Sequence, residues 1–259
     1  MKIITSSIST ALVVALLSTA SMAEEATHAT AIEAGHEKHW SYEGDTAPAK
    51  WAELSEKNKM CGLGKTQSPI NVTTTLDVDL EAIKPAYTSA SKDVVNNGHT
   101  IQVNMDKGST IDIDGVSFSL KQFHFHSPSE NHIDGKSFPL EAHFVHLDAD
   151  GNIAVVALMF EEGKANESIA KIWKKMPKEL HQDNELKLAN IAAELLPKNR
   201  DYYRFAGSLT TPPCTEGVKW LVLKTPVTIS KEQVAQFSAV MHHPNNRPIQ
   251  PTDARVIVK

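Results

Sequence analysis

Two short stretches decide how this chain is read: Lys121-Gln122-Phe123-His124-Phe125-His126 and Glu141-Ala142-His143-Phe144-Val145. Side chains alternate faces along a β-strand, so Gln122, His124 and His126 share one face. Phe123 and Phe125 point the other way, into apolar packing. In the second stretch Glu141, His143 and Val145 share a face by the same rule. If the two strands pair, His124, His126 and His143 converge on one point. Three imidazoles without a fourth protein ligand form the pattern of a catalytic zinc site that keeps a position open for water. Metal-bound imidazoles donate their second ring N–H to an acceptor. Gln122 and Glu141 each stand two residues before a candidate ligand, on its face, where such an acceptor belongs. A buried Glu141 without a cationic or metal-linked partner would be costly, so packing alone explains it poorly. His132 and His146 have neither the phase nor such a companion, and both are read as surface or packing residues.

Outward from this centre the chain is strand-like. Val94–Val95, Thr100–Met105, Thr110–Ile113 and Val116–Phe125 are short β-rich runs. Asn97-Gly98, Lys107-Gly108 and Asp114-Gly115 separate them as turn signals. Leu140–Leu147 and Ile153–Phe160 follow, joined by a hairpin turn at Asp148-Ala149-Asp150-Gly151, and Trp220–Leu223 is a further buried strand. Two helices are predicted. Glu167–Met176 puts Ile169, Ile172, Trp173 and Met176 on one face and stops at Pro177. Ser230 reads as an N-cap with Gln233 completing a capping box, ahead of Val234, Phe237 and Met241. The expected fold is mainly β (α+β): a single domain on a large, mostly antiparallel sheet with a few peripheral helices.

The 259 residues are 41% hydrophobic and 22% charged, which suits a globular chain and excludes a disordered or collagen-like one. A net charge of -5 gives no basic surface for nucleic acid. Two cysteines are too few for a disulfide scaffold or a Cys-rich metal cluster. The N-terminus reads as a secretory signal over residues 1–23: Lys2, an apolar stretch from Ile8 to Leu17, then Ser21-Met22-Ala23 as a cleavage site. That apolar stretch is about half the ~20 residues a membrane span needs, and no later segment is long enough. Residues 24–38 are read as a flexible N-terminal arm, and residues 39–259 as the folded domain. A periplasmic or secreted location follows, where a disulfide can persist.

Seven motifs in order then make the sequence resemble an α-class carbonic anhydrase of the exported bacterial type. They are Gln67-Ser68-Pro69-Ile70-Asn71, Asn96-Asn97-Gly98-His99, Gln122 to His126, Ser129-Glu130, Glu141 to His146, Ser208 to Pro213 and Asn246 to Pro251. The resemblance covers about Trp40 to Arg255. It implies zinc as cofactor and carbon dioxide and bicarbonate as the small-molecule substrate pair, interconverted by attack of a zinc-bound hydroxide. Thr210 resembles the residue that accepts the hydroxide's hydrogen bond and passes its own proton to Glu130. A carboxylate only accepts, so that arrangement leaves a Thr210 lone pair for the nucleophile. His99 resembles the proton shuttle, with Tyr42, Asn97 and Gln102 at the polar side that holds a water chain. Gln102 stands where an Asn is usual. Val145, Val155, Leu209, Val218 and Trp220 match the apolar pocket for carbon dioxide, with Thr211 lining the site. Cys61 and Cys214 match the disulfide of exported members. The loop Ser127-Pro128-Ser129 is shorter than in vertebrate relatives, so the resemblance does not carry over to the cleft rim.

Two rival readings come from other classes. A non-catalytic relative acting as a binding module should lack a ligand histidine or the Thr–Glu pair, and this chain has them all. A periplasmic zinc buffer, suggested by the 12 histidines with His28, His36 and His39 near the N-terminus, would need neither Thr210, Glu130 nor an apolar wall. A zinc peptidase lacks support because there is no His-Glu-x-x-His helix. No nucleic-acid partner and no membrane span after signal cleavage are expected, and monomer and homodimer both stay open.

Overall fold

A computed structural model describes residues 39–73 and 75–259. The expected signal peptide and N-terminal arm lie outside the described residues. The described strands are β1 (Asn71–Val72), β2 (Ser91–Asn96), β3 (Ile101–Met105), β4 (Thr110–Ile113), β5 (Val116–His126), β6 (His132–Ile133), β7 (Leu140–Leu147), β8 (Ile153–Glu162), β9 (Asp183–Glu185), β10 (Tyr202–Ser208), β11 (Glu216–Leu223) and β12 (Val227–Ile229). The helices are α1 (Trp51–Leu54), α2 (Met60–Leu63), α3 (Glu167–Trp173), α4 (Ile191–Leu195) and α5 (Lys231–Met241).

Ten strands form one sheet in the order β10-β11-β8-β7-β5-β3-β2-β9, with β12 beside β8 and β4 beside β5. Most ladders are antiparallel, as expected. The sheet becomes mixed at its centre, where β8 runs parallel to both β11 and β12. β8 is apolar and buried on both faces from Ala154 to Phe160, which suits a strand flanked by parallel neighbours. One core lies on the face of Phe123, Phe125, Phe144, Val156 and Leu158, covered by α3, α4 and α5. The second lies on the opposite face around Val155, Ala157, Met159, Phe205, Val218 and Trp220.

A β-bulge between Leu120 and Gln122 sets the phase of β5. Before it the buried apolar residues are Phe118 and Leu120; after it they are Phe123 and Phe125, all in the same core. One extra residue therefore flips the alternation, and Gln122, His124 and His126 turn to the second face. The capping box at α5 forms as expected, with Ser230 accepting from the Gln233 backbone and the Gln233 side chain reaching back. Helix α3 ends at Trp173 rather than Met176. Lys175 and Met176 donate to Ile172 and Trp173, three residues back, so the chain tightens into turns ahead of Pro177.

Cys61 on α2 is bonded to Cys214 across 153 residues of sequence. The pair packs with Tyr42 and Trp51, outside both sheet cores. Reducing the bridge is expected to lower the unfolding free energy by about 2–5 kcal/mol. Denaturant titration with and without reductant measures this, and equal midpoints would show that the bridge contributes nothing.

His146 is fully buried on the first face, where Nδ1 donates to the Ala154 carbonyl at 3.3 Å and Nε2 accepts from the Tyr87 hydroxyl at 2.7 Å. Its packing role is as expected. Burial lowers its pKa from 6.5 to about 4. The unfolded chain therefore binds this proton first. The resulting stability is present above about pH 6.5 and is lost as pH falls towards 4. His146→Gln should flatten the pH dependence of the denaturant midpoint in that window. An unchanged slope would place the acid-sensitive group elsewhere.

Candidate metal centre

The pairing on which the sequence reading depends is present: β5 and β7 are antiparallel neighbours, with His124 directly opposite His143 and His126 opposite Glu141. A ring nitrogen from each of His124, His126 and His143 lies within 4.8 Å of the other two. Each ring is held from behind by an acceptor. His124 Nδ1 donates to Gln122 Oε1 at 2.8 Å, and His143 Nε2 donates to Glu141 Oε1 at 2.8 Å. His126 Nδ1 donates to the Asn245 backbone carbonyl at 2.7 Å. These bonds fix the tautomers, leaving His124 Nε2, His126 Nε2 and His143 Nδ1 as bare acceptors. Burial holds the pKa of all three rings below the ordinary histidine value, so they are neutral and ready to ligate.

His126 Nε2 is buried and has no hydrogen-bond partner among the described residues. An orphaned acceptor beside two other bare imidazole nitrogens is what a soft-to-borderline divalent cation satisfies, and three neutral imidazoles are the donor set zinc takes. The residues present therefore fit a zinc ion.

Glu141 is buried and saturated. Besides the His143 ring it accepts from the Glu130 and Asn131 backbone N–H groups at 2.7 and 2.8 Å and from Asn131 Nδ2 at 2.7 Å. Glu130, also fully buried, accepts from the Arg247 backbone N–H at 2.8 Å. Burial pushes the Glu130 pKa up to about 8, against the pull of that N–H and of the Thr210 side chain, and Oε2 has no hydrogen-bond partner among the described residues. The Arg247 guanidinium braces this corner, donating to Gln67 Oε1 and to the Ser68 and Cys61 carbonyls. Gln67 in turn donates to the Cys214 carbonyl at 3.0 Å, and Cys214 closes its own loop by donating to Thr211. The disulfide and the Thr210–Thr211 loop thus share one network with Glu130.

Val155, Val218 and Trp220 are buried in the second core, with Val145 and Leu209 packed against it. The Trp220 ring stands 4.9 Å from the His143 ring, so the apolar cluster begins at a ring of the triad. Tyr42 is buried; burial and the nearby Glu130 raise its pKa, and its hydroxyl has no hydrogen-bond partner among the described residues. Gln102, opposite His124 on β3, donates to Asn104, which donates to Asp93. The Asn97 side-chain Oδ1 closes the β2–β3 turn by accepting from the His99 and Thr100 backbone N–H groups. His99 sits on that turn, its ring stacked on Trp40 at 3.7 Å and its Nε2 2.8 Å from His39 Nε2. His132, on β6, is half-buried and stands apart from the three-ring cluster.

Sequence reasoning missed Asn131, Asn245 and Arg247. Asn245 joins three segments: its side chain accepts from Ser127 N and donates to the His99 and Phe125 carbonyls, while its own carbonyl holds His126. The motif from Asn246 to Pro251 begins one residue later and was the available signal.

Comparison with known proteins agrees with this geometry. Residues 46–259 match the family model described as eukaryotic-type carbonic anhydrase. A carbonic anhydrase of Pectobacterium carotovorum is 52% identical over 220 residues, covering 85% of this chain and 90% of that protein. One from Neisseria gonorrhoeae is 50% identical, covering 87% and 89%. The α-carbonic anhydrase of Thermovibrio ammonificans, solved with the inhibitor sulfanilamide, superimposes with a TM-score of 0.84 at 49% identity, covering 85% of this chain and 99% of that one. A chain with this sheet, this histidine triad and these relatives belongs to the α-carbonic anhydrase family of enzymes.

Proposed function

We propose that this protein is an exported zinc enzyme that catalyses the reversible hydration of carbon dioxide to bicarbonate and a proton. The observation that carries the reading is the convergence of three bare, neutral imidazole nitrogens at the edge of an apolar cluster. When bound, zinc supplies a Lewis acid that activates water as the nucleophile. The rest falls to the chain. Gln122, Glu141 and the Asn245 carbonyl hold the three rings in the ligating tautomer. Thr210 donates its hydroxyl hydrogen bond to the ionised Glu130 and turns a lone pair toward the nucleophile, which orients the attack. Val145, Val155, Leu209, Val218 and Trp220 offer an uncharged substrate a site free of competing water, and Thr211 lines the loop beside it. His99 carries the product proton away from the cleft, and Tyr42, Asn97 and Gln102 border the water path that reaches it.

Export is supported by the Cys61–Cys214 bond and by the signal-like residues 1–23. No helix among the described residues is long and apolar enough to cross a membrane.

Stopped-flow carbon dioxide hydration on the zinc-loaded protein tests the reading, with an aromatic sulfonamide as inhibitor control. Fast hydration abolished by the sulfonamide is expected. Zinc-loaded, folded protein without hydration would overturn the assignment and favour zinc storage.

A further inference from the structure

We propose that His39 and His99 work as one two-imidazole proton relay, in which His99 takes the proton inside the cleft and His39 releases it to solvent. The inference rests on the reading of His99 as the proton carrier and extends it to a residue that the motifs leave without a role.

The two Nε2 atoms stand 2.8 Å apart, a hydrogen bond that admits a single proton between them. Any proton leaving His99 through Nε2 must pass to His39. His39 is exposed, whereas His99 is half-buried and lies flat on the Trp40 ring, with centroids 3.7 Å apart and planes within 14°. The outer ring therefore has the access to buffer that the inner one lacks.

His99 alone is a poor acceptor. Burial, with the neighbouring His39, His243 and His181, lowers its pKa to about 4. At pH 7 only about one such ring in a thousand would carry the proton. A proton shared across the pair changes this. It converts a neutral N–H···N bond into a charge-assisted one, roughly twice as strong. The Trp40 face adds cation–π attraction for the charged pair. His243 and His181, and the Tyr42 ring 6.5 Å away, are the other titratable groups facing His99. Positive charge on either histidine opposes a second proton, so the pair carries one at a time.

A proton arriving at His99 Nδ1 forms an N–H bond there. The Nε2 hydrogen of His99 crosses to His39 Nε2, and the Nδ1 proton of His39 leaves to a buffer base. One proton enters, one leaves, and no electrons are transferred. Proton exchange with water restores both starting tautomers.

The test compares His39→Gln and His99→Ala with the parent as full-length, zinc-loaded proteins. Glutamine keeps a hydrogen bond to His99 but cannot relay a proton. In weak buffer His39→Gln should lower kcat about tenfold, a fraction of the roughly hundredfold that a whole acid–base group contributes. Its kcat/KM and zinc content should stay unchanged, and added imidazole should restore kcat. Imidazole NMR titration of the parent should show His39 and His99 taking up one proton jointly, and His39→Gln should shift the remaining His99 titration. If His99→Ala loses kcat with imidazole rescue while His39→Gln matches the parent, the shuttle stands and the relay is overturned. If His99→Ala keeps the parental kcat, the shuttle reading itself fails, and the relay with it. Two independent titrations for His39 and His99 also overturn the relay.

Discussion

His143→Ala is expected to abolish zinc binding and, with it, carbon dioxide hydration. The substitution removes Nδ1, one of three bare nitrogens, and two imidazoles do not make a tight zinc site. The fold should survive. Glu141 loses the His143 N–H but keeps three other donors, the Glu130 and Asn131 backbone N–H groups and Asn131 Nδ2, so its buried carboxylate stays solvated by the protein. Zinc content after dialysis against a mild chelator, together with circular dichroism and the stopped-flow rate, separates the two effects. A folded His143→Ala protein that retains one zinc per chain and the parental rate would remove His143 from the ligand set. Glu141→Gln offers a graded companion, expected to weaken zinc affinity about 10–100-fold because the amide holds the His143 ring less firmly.

Thr210→Ala should lower kcat/KM about a hundredfold, the size of effect that follows from misplacing a reacting group by about 1 Å. The proposed task of the hydroxyl is orientation, and it needs the ionised form of Glu130, which can only accept. Zinc content should not change, since Thr210 holds none of the three rings. Imidazole buffer should not restore the rate, because the affected step precedes proton export. That separates this variant from His39→Gln, where kcat alone falls and buffer rescues it. Thr210→Ser keeps the hydroxyl and should recover most of the loss. A Thr210→Ala enzyme within twofold of the parental kcat/KM would leave the Thr210–Glu130 pair without a catalytic role.

Much of the site was legible because strand alternation is a backbone property that sequence displays directly. His124, His126 and His143, with Gln122 and Glu141 two residues before a ligand, follow from period-two geometry once two strands pair. The phase change in β5 was also written in the sequence, as apolar positions at 118 and 120 followed by 123 and 125. Short apolar runs can be matched to strands without it, so alternation alone does not reveal it. The capping box at Ser230 is local and therefore legible. The end of α3 is less so, because Pro177 disturbs the helix several residues ahead of itself.

What the sequence by itself determined is therefore the class of fold, the triad and the acceptors behind two of its rings. Each depends on residues a few positions apart, whose relative placement the backbone dictates. Tertiary structure alone decided the rest. The acceptor behind His126 is a backbone carbonyl 119 residues away, and a carbonyl has no sequence signature because every residue carries one. Arg247 reaches Cys61 and Gln67 across the chain, and β8 meets β11 in parallel, only because distant segments pack together. The lowered pKa of His99 and its bond to His39 belong to that same class, since burial and a neighbour 60 residues away are set by how the chain folds back on itself.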